Sequence, residues 1–258
     1  MQIQLVRSAT IRVSMAGVTL LIDPWLAAKG EGRSYSGDVR SPLVDLPMPA
    51  EAVVEAIDAV LISHLHSDHF DTAAAAAIRP GTPVLAPEHD VAGLEGFGLA
   101  HVSAITGPTK VGPVEIVLTP GRHGPDEVLE AMGEVAGFLL RAPGEPSVYW
   151  VGDSILCDEV RQVIRSERPD VVVVHACGAD WEGSAPLVMD AAMVLETMRL
   201  SAPATVVATH MDAVDHATVS RADLECAAAD LDGPERRRLR IPADGEVLVF
   251  PPAAQRPA

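Results

Sequence analysis

A chain of 258 residues with 48% hydrophobic side chains can bury a sizeable core, which excludes a disordered protein and fits one layered domain over residues 1–258. Aromatic residues make up only 3%, so that core has to be built from Ala, Val, Leu and Ile. A formal net charge of −17 repels phosphate backbones and anionic membrane surfaces, so neither nucleic acid nor membrane is an expected partner.

Residues 3–6, 10–13 and 18–22 are short, rich in β-branched side chains and separated by polar residues or glycine, which predicts strands. Met15-Ala16-Gly17 reads as the hairpin turn between the last two. Residues 27–50 carry Gly30, Gly32, Gly37, Pro42, Pro47 and Pro49 among charges, and predict a long loop. Loops of that length in a compact domain are functional covers or disordered segments. Tyr35 within it is either a cover for substrate or a solvated tip. A short helix over 51–57 leads to an apolar strand over 59–63, which runs directly into His64-Leu65-His66-Ser67-Asp68-His69. An Ala-rich helix over 71–78 is stopped by Arg79-Pro80-Gly81.

Further strands are predicted over 83–86, 101–105 and 114–119, and 135–141 and 148–151 read as an adjacent pair. A helix over 155–166, a strand over 171–174, a helix over 190–200, a strand over 205–208, a helix over 220–229 and a strand over 247–250 complete the order. Arg236-Arg237-Arg238 reads as a solvated surface turn, and the Pro/Ala-rich tail 251–258 as frayed. Fully apolar strands such as 171–174 need cover on both faces. The pattern is therefore α/β (α+β), with two central sheets and helices outside. Cys157, Cys177 and Cys226 are too few and scattered for a disulfide framework. The N-terminus lacks a secretory signal pattern and no apolar stretch is long enough for a bilayer, so a cytoplasmic protein is expected.

The chemistry concentrates just past the strand at 59–63. His64 and His66, two apart on extended chain, point the same way, while Asp68 and His69 approach from the following turn. Three imidazoles and a carboxylate converging there would be poor packing without a cation. Imidazole and carboxylate together suit zinc, manganese or iron.

His-Leu-His-Ser-Asp-His-Phe resembles the signature of the metallo-β-lactamase superfamily. That resemblance extends over nearly the whole chain, because His123, Asp153 and His210 each follow a predicted strand in the family's order. It implies a four-layer αββα sandwich and a two-metal hydrolase. It places His64, His66 and His123 on one metal, Asp68, His69 and His210 on the other, and Asp153 between them. The implied cofactors are two divalent ions, zinc or manganese, with iron possible. A hydroxide shared by the metals would attack a small ester, lactone or phosphoester, and Asp68 would orient the water as a catalytic residue. Ile22-Asp23-Pro24-Trp25, Tyr149-Trp150-Val151-Gly152-Asp153 and the segment from His210 through Met211 and Asp212 to His216 look most like the branch of the L-ascorbate-6-phosphate lactonase. The zinc β-lactamases proper use another ligand where Asp153 stands, which argues against antibiotic hydrolysis.

Around this set, His175 closes an apolar strand and is a candidate catalytic residue, as a substrate contact or proton donor, or else a buried hydrogen-bonded histidine. Asp23 is a candidate for orienting a ligand histidine. His216 reads as structural or outer, Asp190 as a helix N-cap, and His89 and His101 as lying off the site. The expected partner is a small-molecule substrate, and relatives suggest a homo-oligomer. A mononuclear iron oxidoreductase of the sulfur-oxidising type, or a non-catalytic binding protein, are the rival readings of the same residues.

Overall fold

The computed structural model describes residues 1–37, 39–181, 183 and 185–253, and arranges them in two seven-stranded sheets. The first sheet takes β1 (Gln2–Arg7), β2 (Thr10–Met15), β3 (Val18–Ile22), β4 (Ala59–Leu61), β5 (Val84–Ala86) and β6 (Val102–Ala104). The second takes β7 (Thr109–Val111), β8 (Val114–Pro120), β9 (Ala136–Arg141), β10 (Val148–Trp150), β11 (Val171–His175), β12 (Thr205–Thr209) and β13 (Leu239–Arg240). A last strand, β14 (Val247–Val249), returns to the first sheet and pairs antiparallel with β1. The helices are α1 (Ala50–Val53), α2 (Thr72–Ala77), α3 (Val91–Gly96), α4 (Leu129–Met132), α5 (Asp158–Glu167), α6 (Ala191–Leu200), α7 (Arg221–Ala227) and α8 (Gly233–Arg238).

Alternation along the strands makes the layers. Ile3, Leu5, Leu20 and Leu61 of the first sheet pack between the sheets against Phe138, Trp150, Val171 and Val173 of the second. The opposite face of the first sheet, with Val60 and Val84, meets Val53 of α1, Ala74 of α2 and Leu94 of α3. The opposite face of the second, with Val172, Val174 and Val206, meets Val160 of α5, Val194 of α6 and Leu224 of α7. The result is the four-layer αββα sandwich.

Strand direction then creates the site. β3 to β6 run parallel, as do β10 to β13, and β8 runs with the second set because β9 is antiparallel to both β8 and β10. The hairpin at Ala16-Gly17 matches its sequence pattern, both residues taking positive φ as a tight two-residue turn requires.

Several expectations need correcting. Arg236, Arg237 and Arg238 are not a solvated turn but the last turn of α8. Asp232 caps that helix by accepting from the Glu235 amide at 2.7 Å, and the arginines suit its carbonyl end. Arg238 donates to the carbonyls of Met198 and Ala204, and Arg236 pairs with Glu225. The helix expected over 51–57 stops at Val53, where Arg12 donates to the carbonyls of Ala52 and Glu55 and Ala56 turns to a φ of +52°. The helix expected from 155 begins at Asp158. Residues 27–49 form a loop without regular elements, as expected, with position 38 outside the described residues. Of the tail expected to fray, residues 254–258 also lie outside them, and the Ala253 amide donates to the Gly144 carbonyl. No helix among the described residues is long and apolar enough to cross a membrane.

Candidate metal centre

The C-terminal ends of β3, β4, β8, β10, β11 and β12 share one rim of the sandwich, and each delivers a polar residue there. Asp23 follows β3, His64 follows β4, His123 lies three residues past β8, Asp153 lies three past β10, His175 closes β11 and His210 follows β12. Strand alternation explains His175. Val171 and Val173 face between the sheets, so His175 takes the third inward position, edge-on to Trp150 with ring centroids 4.9 Å apart. Asp23 and His210 adopt φ of +45° and +61°. That left-handed backbone costs about 1–2 kcal/mol for a residue with a Cβ, and such strain clusters at functional sites. The His210 amide is fixed there by donating to the Ser8 carbonyl at 2.9 Å.

Hydrogen bonds outside the centre decide which ring nitrogens face it. The Ser63 amide and hydroxyl both donate to Asp23, at 2.8 and 2.6 Å. With its proton committed, Ser63 Oγ accepts from His64 Nδ1 at 2.9 Å. His69 Nδ1 donates to Asp23 at 2.6 Å, and His123 Nδ1 donates to the Leu187 carbonyl at 3.1 Å. His210 Nδ1 lies against Ser8 Oγ at 3.4 Å and Cys177 Sγ at 3.7 Å. Each of these histidines therefore turns Nε2 inward, the arrangement that outer partners impose on metal-binding imidazoles. The loops are stapled together as well: Ser154 Oγ accepts from the Arg122 amide at 2.9 Å, and the Ile155 amide donates to the Arg122 carbonyl at 2.9 Å.

Asp153 sits among the inward nitrogens. Its Oδ2 lies 3.1 Å from His69 Nε2, 3.3 Å from His123 Nε2 and 3.9 Å from His64 Nε2. Its Oδ1 accepts from His175 Nδ1 at 2.5 Å and lies 3.8 Å from His210 Nε2. His210 Nε2 is 3.5 Å from Asp68 Oδ2 and 3.2 Å from His69 Nε2. Donor atoms of His64, His66, His123 and Asp153 fall within 4.8 Å of one another, and so do those of His69, Asp153, His175 and His210. His64 Nε2 is buried and has no hydrogen-bond partner. Lone pairs gathered at this spacing, one orphaned, fit a cation.

The centre is electrostatically split. Burial, followed by the charges of His69 and His66, lowers His64 well below the usual imidazole value. Burial and His123 bring His66 to about 4. Burial opposes charge on His69 too, but Asp153 and Asp23 outweigh it and lift His69 to about 10. The same contest, won by Asp153, raises His210. Burial works against the Asp68 and Asp153 carboxylates, yet His210 and His69 hold both below the ordinary carboxylate range.

Of the seven residues named from the sequence as ligands, His64, His66, His69, His123, Asp153 and His210 fall into the two donor groups; Asp68 lies beside them, 3.5 Å from His210 Nε2, and belongs to neither, while His175 joins the second. His175 is fully buried against Asp153, its Nε2 unpartnered, and burial takes it to about 3. Asp190 caps α6, accepting from the Met193 amide at 2.9 Å. His89 pairs with Asp90 and Glu134 at 3.4 and 3.3 Å, and neither it nor the exposed His101 joins a donor group. A cavity of about 360 Å³ opens over the centre, floored by His66, Asp68, His123 and Asp153. Its walls include Tyr35, Met132, Trp181, Leu187 and His216. Trp181 and Asp215, which holds the Tyr35 segment, escaped the sequence reading. A tryptophan in the polar, glycine-flanked stretch 178–183 of a chain so poor in rings was the available signal for the first.

Comparison with known proteins agrees with this picture. The sequence model of a family described as a beta-lactamase superfamily domain matches residues 19–211. UPF0173 protein YddR of Bacillus subtilis is 30% identical over 256 residues, covering 97% of this chain and all of that protein. The crystal structure of an isothiocyanate hydrolase from Delia radicum gut bacteria is 28% identical, with a TM-score of 0.91 over 97% of this chain and 99% of that one. A possible metal-dependent hydrolase from Veillonella parvula is 26% identical, with a TM-score of 0.92 over 96% and 99%.

Proposed function

The chain belongs to the beta-lactamase superfamily, and from that premise we propose that it is a metal-dependent hydrolase, a single domain over residues 1–258 working in the cytoplasm on a small molecule. His64, His66, His123 and Asp153 would hold one divalent cation, and Asp68, His69, His210 and Asp153 a second, zinc or manganese. The observation that carries this reading is the ring of inward Nε2 atoms around Asp153, with His64 Nε2 buried and unpartnered. When bound, such cations acidify a water and polarise the atom that gains charge.

The chain's own residues supply the rest. Asp68 borders the cavity and is kept ionised by His210 and His69 against its burial, so it can accept a hydrogen bond from incoming water and orient it. His175 is neutral, carries its single proton on Nδ1 and donates it to Asp153 Oδ1. It is absent from the described cavity lining. Its part is to fix the rotation of the carboxylate that both donor groups share. Nonpolar walls from Met132, Leu187 and the Trp181 and Tyr35 rings favour a neutral organic substrate, and among the described lining residues Arg33 is the single permanent cation. A phosphoester would want more. We therefore assign a small compound with an electrophilic carbon: an ester, a lactone, or an isothiocyanate like that acted on by the similar hydrolase.

The test is turnover of benzyl isothiocyanate, a δ-lactone, p-nitrophenyl acetate and bis-p-nitrophenyl phosphate by the full chain, before and after chelation, with metal content measured. At least one carbon electrophile should outrun the phosphodiester, lose turnover with the metal and regain it with zinc or manganese. Turnover that survives verified metal removal overturns the reading.

A further inference from the structure

The loop residues 33–35 line the cavity, and residues 34–36 are bonded to the loop after β12. Asp215, five residues past His210, accepts from the Ser34 hydroxyl at 2.5 Å, the Tyr35 amide at 2.9 Å, the Ser36 amide at 3.1 Å and the Ser36 hydroxyl at 2.7 Å. It also accepts from the Ser41 hydroxyl at 3.3 Å. These bonds hold its carboxyl below the ordinary range although burial opposes them. From this clamp Tyr35 reaches across to the histidine loop, where its hydroxyl and that of Ser67 are 2.7 Å apart. Its ring has two close neighbours. The His216 ring centroid lies at 4.8 Å and the Arg33 guanidinium at 4.6 Å.

Tyr35 thus lines the cavity beside His66, Asp68, His123 and Asp153 with a backbone and ring that are fixed, and a hydroxyl that is not. Ser67 is exposed, so the bond between the two hydroxyls is readily exchanged for another partner. We propose that Tyr35 is a catalytic residue, its hydroxyl leaving Ser67 to donate a hydrogen bond to the substrate atom that gains negative charge as water adds to the electrophilic carbon. The inference rests on the hydrolase reading above. No bond to Tyr35 forms or breaks, and its proton stays on the phenol. Burial and the Asp68 charge push that phenol above its ordinary value, so it is a donor throughout the neutral range. A donor whose backbone and ring are already held needs only to rotate its hydroxyl to meet charge that develops in the cavity. Asp215 acts through Tyr35 and is a positioning residue.

The experiment compares zinc-loaded wild type with Tyr35→Phe, Asp215→Ala and the double variant. Zinc content, Tm, kcat and KM are measured on whichever compound of the panel the wild type turns over. Binding of acetohydroxamate, an oxygen-rich probe, is followed by calorimetry. Tyr35→Phe should keep its zinc and Tm, lose about 100-fold in kcat with KM changed less than about threefold, and bind the probe about tenfold more weakly. Asp215→Ala should also lower kcat, and the double variant should lose no more than Tyr35→Phe alone, because both act through one hydroxyl. A Tyr35→Phe protein within about twofold of wild type in kcat and probe affinity, one that loses zinc, or losses that multiply in the double variant would each overturn the proposal. A wild type that turns over nothing in the panel counts against the hydrolase reading instead, and probe affinity then decides Tyr35 alone.

Discussion

The Asp23 carboxylate takes three hydrogen bonds at once, from the Ser63 amide, the Ser63 hydroxyl and His69 Nδ1. Through Ser63 it also sets the proton on His64. One buried side chain thereby aims two histidines that stand in different donor groups. Removing it should free both rings without touching a ligand. Asp23→Ala is expected to weaken zinc binding by about 10–100-fold, measured by competition with a chromophoric chelator. Unchanged affinity would mean that the rings are aimed by packing alone. At this scale the sequence was informative wherever a residue sat just past a strand, because the strand fixes where its end points. His64, His123, Asp153 and His210 were legible on that ground. The inward face of His175 was legible too, by counting two from Val173. Tyr35 was an open alternative, His216 was read as structural or outer although it stands in the cavity wall, and Asp215 was missed. Their places depend on the path of a long loop, which no local periodicity encodes.

At the scale of elements, the turn after β10 illustrates how tightly the rim is built. Gly152 has a φ of +75°, and a Cβ there would come within 2.8 Å of the Trp150 ring and 2.9 Å of the Ala136 carbonyl. Gly152→Ala therefore combines left-handed strain of about 1–2 kcal/mol with a steric clash, and it displaces Asp153 next door. The expected result is a Tm several degrees lower, together with weaker zinc binding, both read by thermal unfolding with and without zinc. A Tm equal to wild type in both conditions would show that the turn adapts freely. The apolar strands were readable because β-branched runs bounded by glycine and proline leave few alternatives. β7 and β13, three and two residues long at sheet edges, carry too little pattern to stand out. The helix α3 contains two glycines, and α8 begins Gly-Pro and ends in three arginines, so neither offers the apolar stripe by which helices are recognised.

For the molecule as a whole, the protons held at the rim link metal to stability. In the metal-free chain His69 is lifted to about 10, above an unfolded value of about 6.5. The stability it contributes is thus complete below about 6.5 and is lost as pH rises toward its folded value. Tm of metal-free protein should fall between about pH 7 and 9, whereas saturating zinc, which replaces that proton, should remove the decline. Scanning calorimetry of both forms checks this, and a metal-free Tm that climbs over the same range contradicts it. Sheet layers and helix cover were visible in the chain's patterning, and the superfamily in the resemblance carried by His64 to Phe70. The substrate was not, because the cavity walls come from residues 33–35, from Ala131 and Met132 of α4, and from Asp180, Trp181 and Leu187, distant in sequence and brought together only by the fold.

Asp23 and the histidine loop belong to one sheet, whereas His123, Asp153, His175 and His210 belong to the other. Whatever the rim binds is consequently a rivet driven through the seam of the sandwich. The interior it pins is mostly aliphatic, with Phe138, Trp150 and Phe250 its large rings. Branched aliphatic side chains from the two layers interdigitate there as in any close-packed interior, so the rim adds a second, polar tie to an apolar one. Emptying it would loosen the loops of one sheet from those of the other at that edge, while the core behind them stays packed.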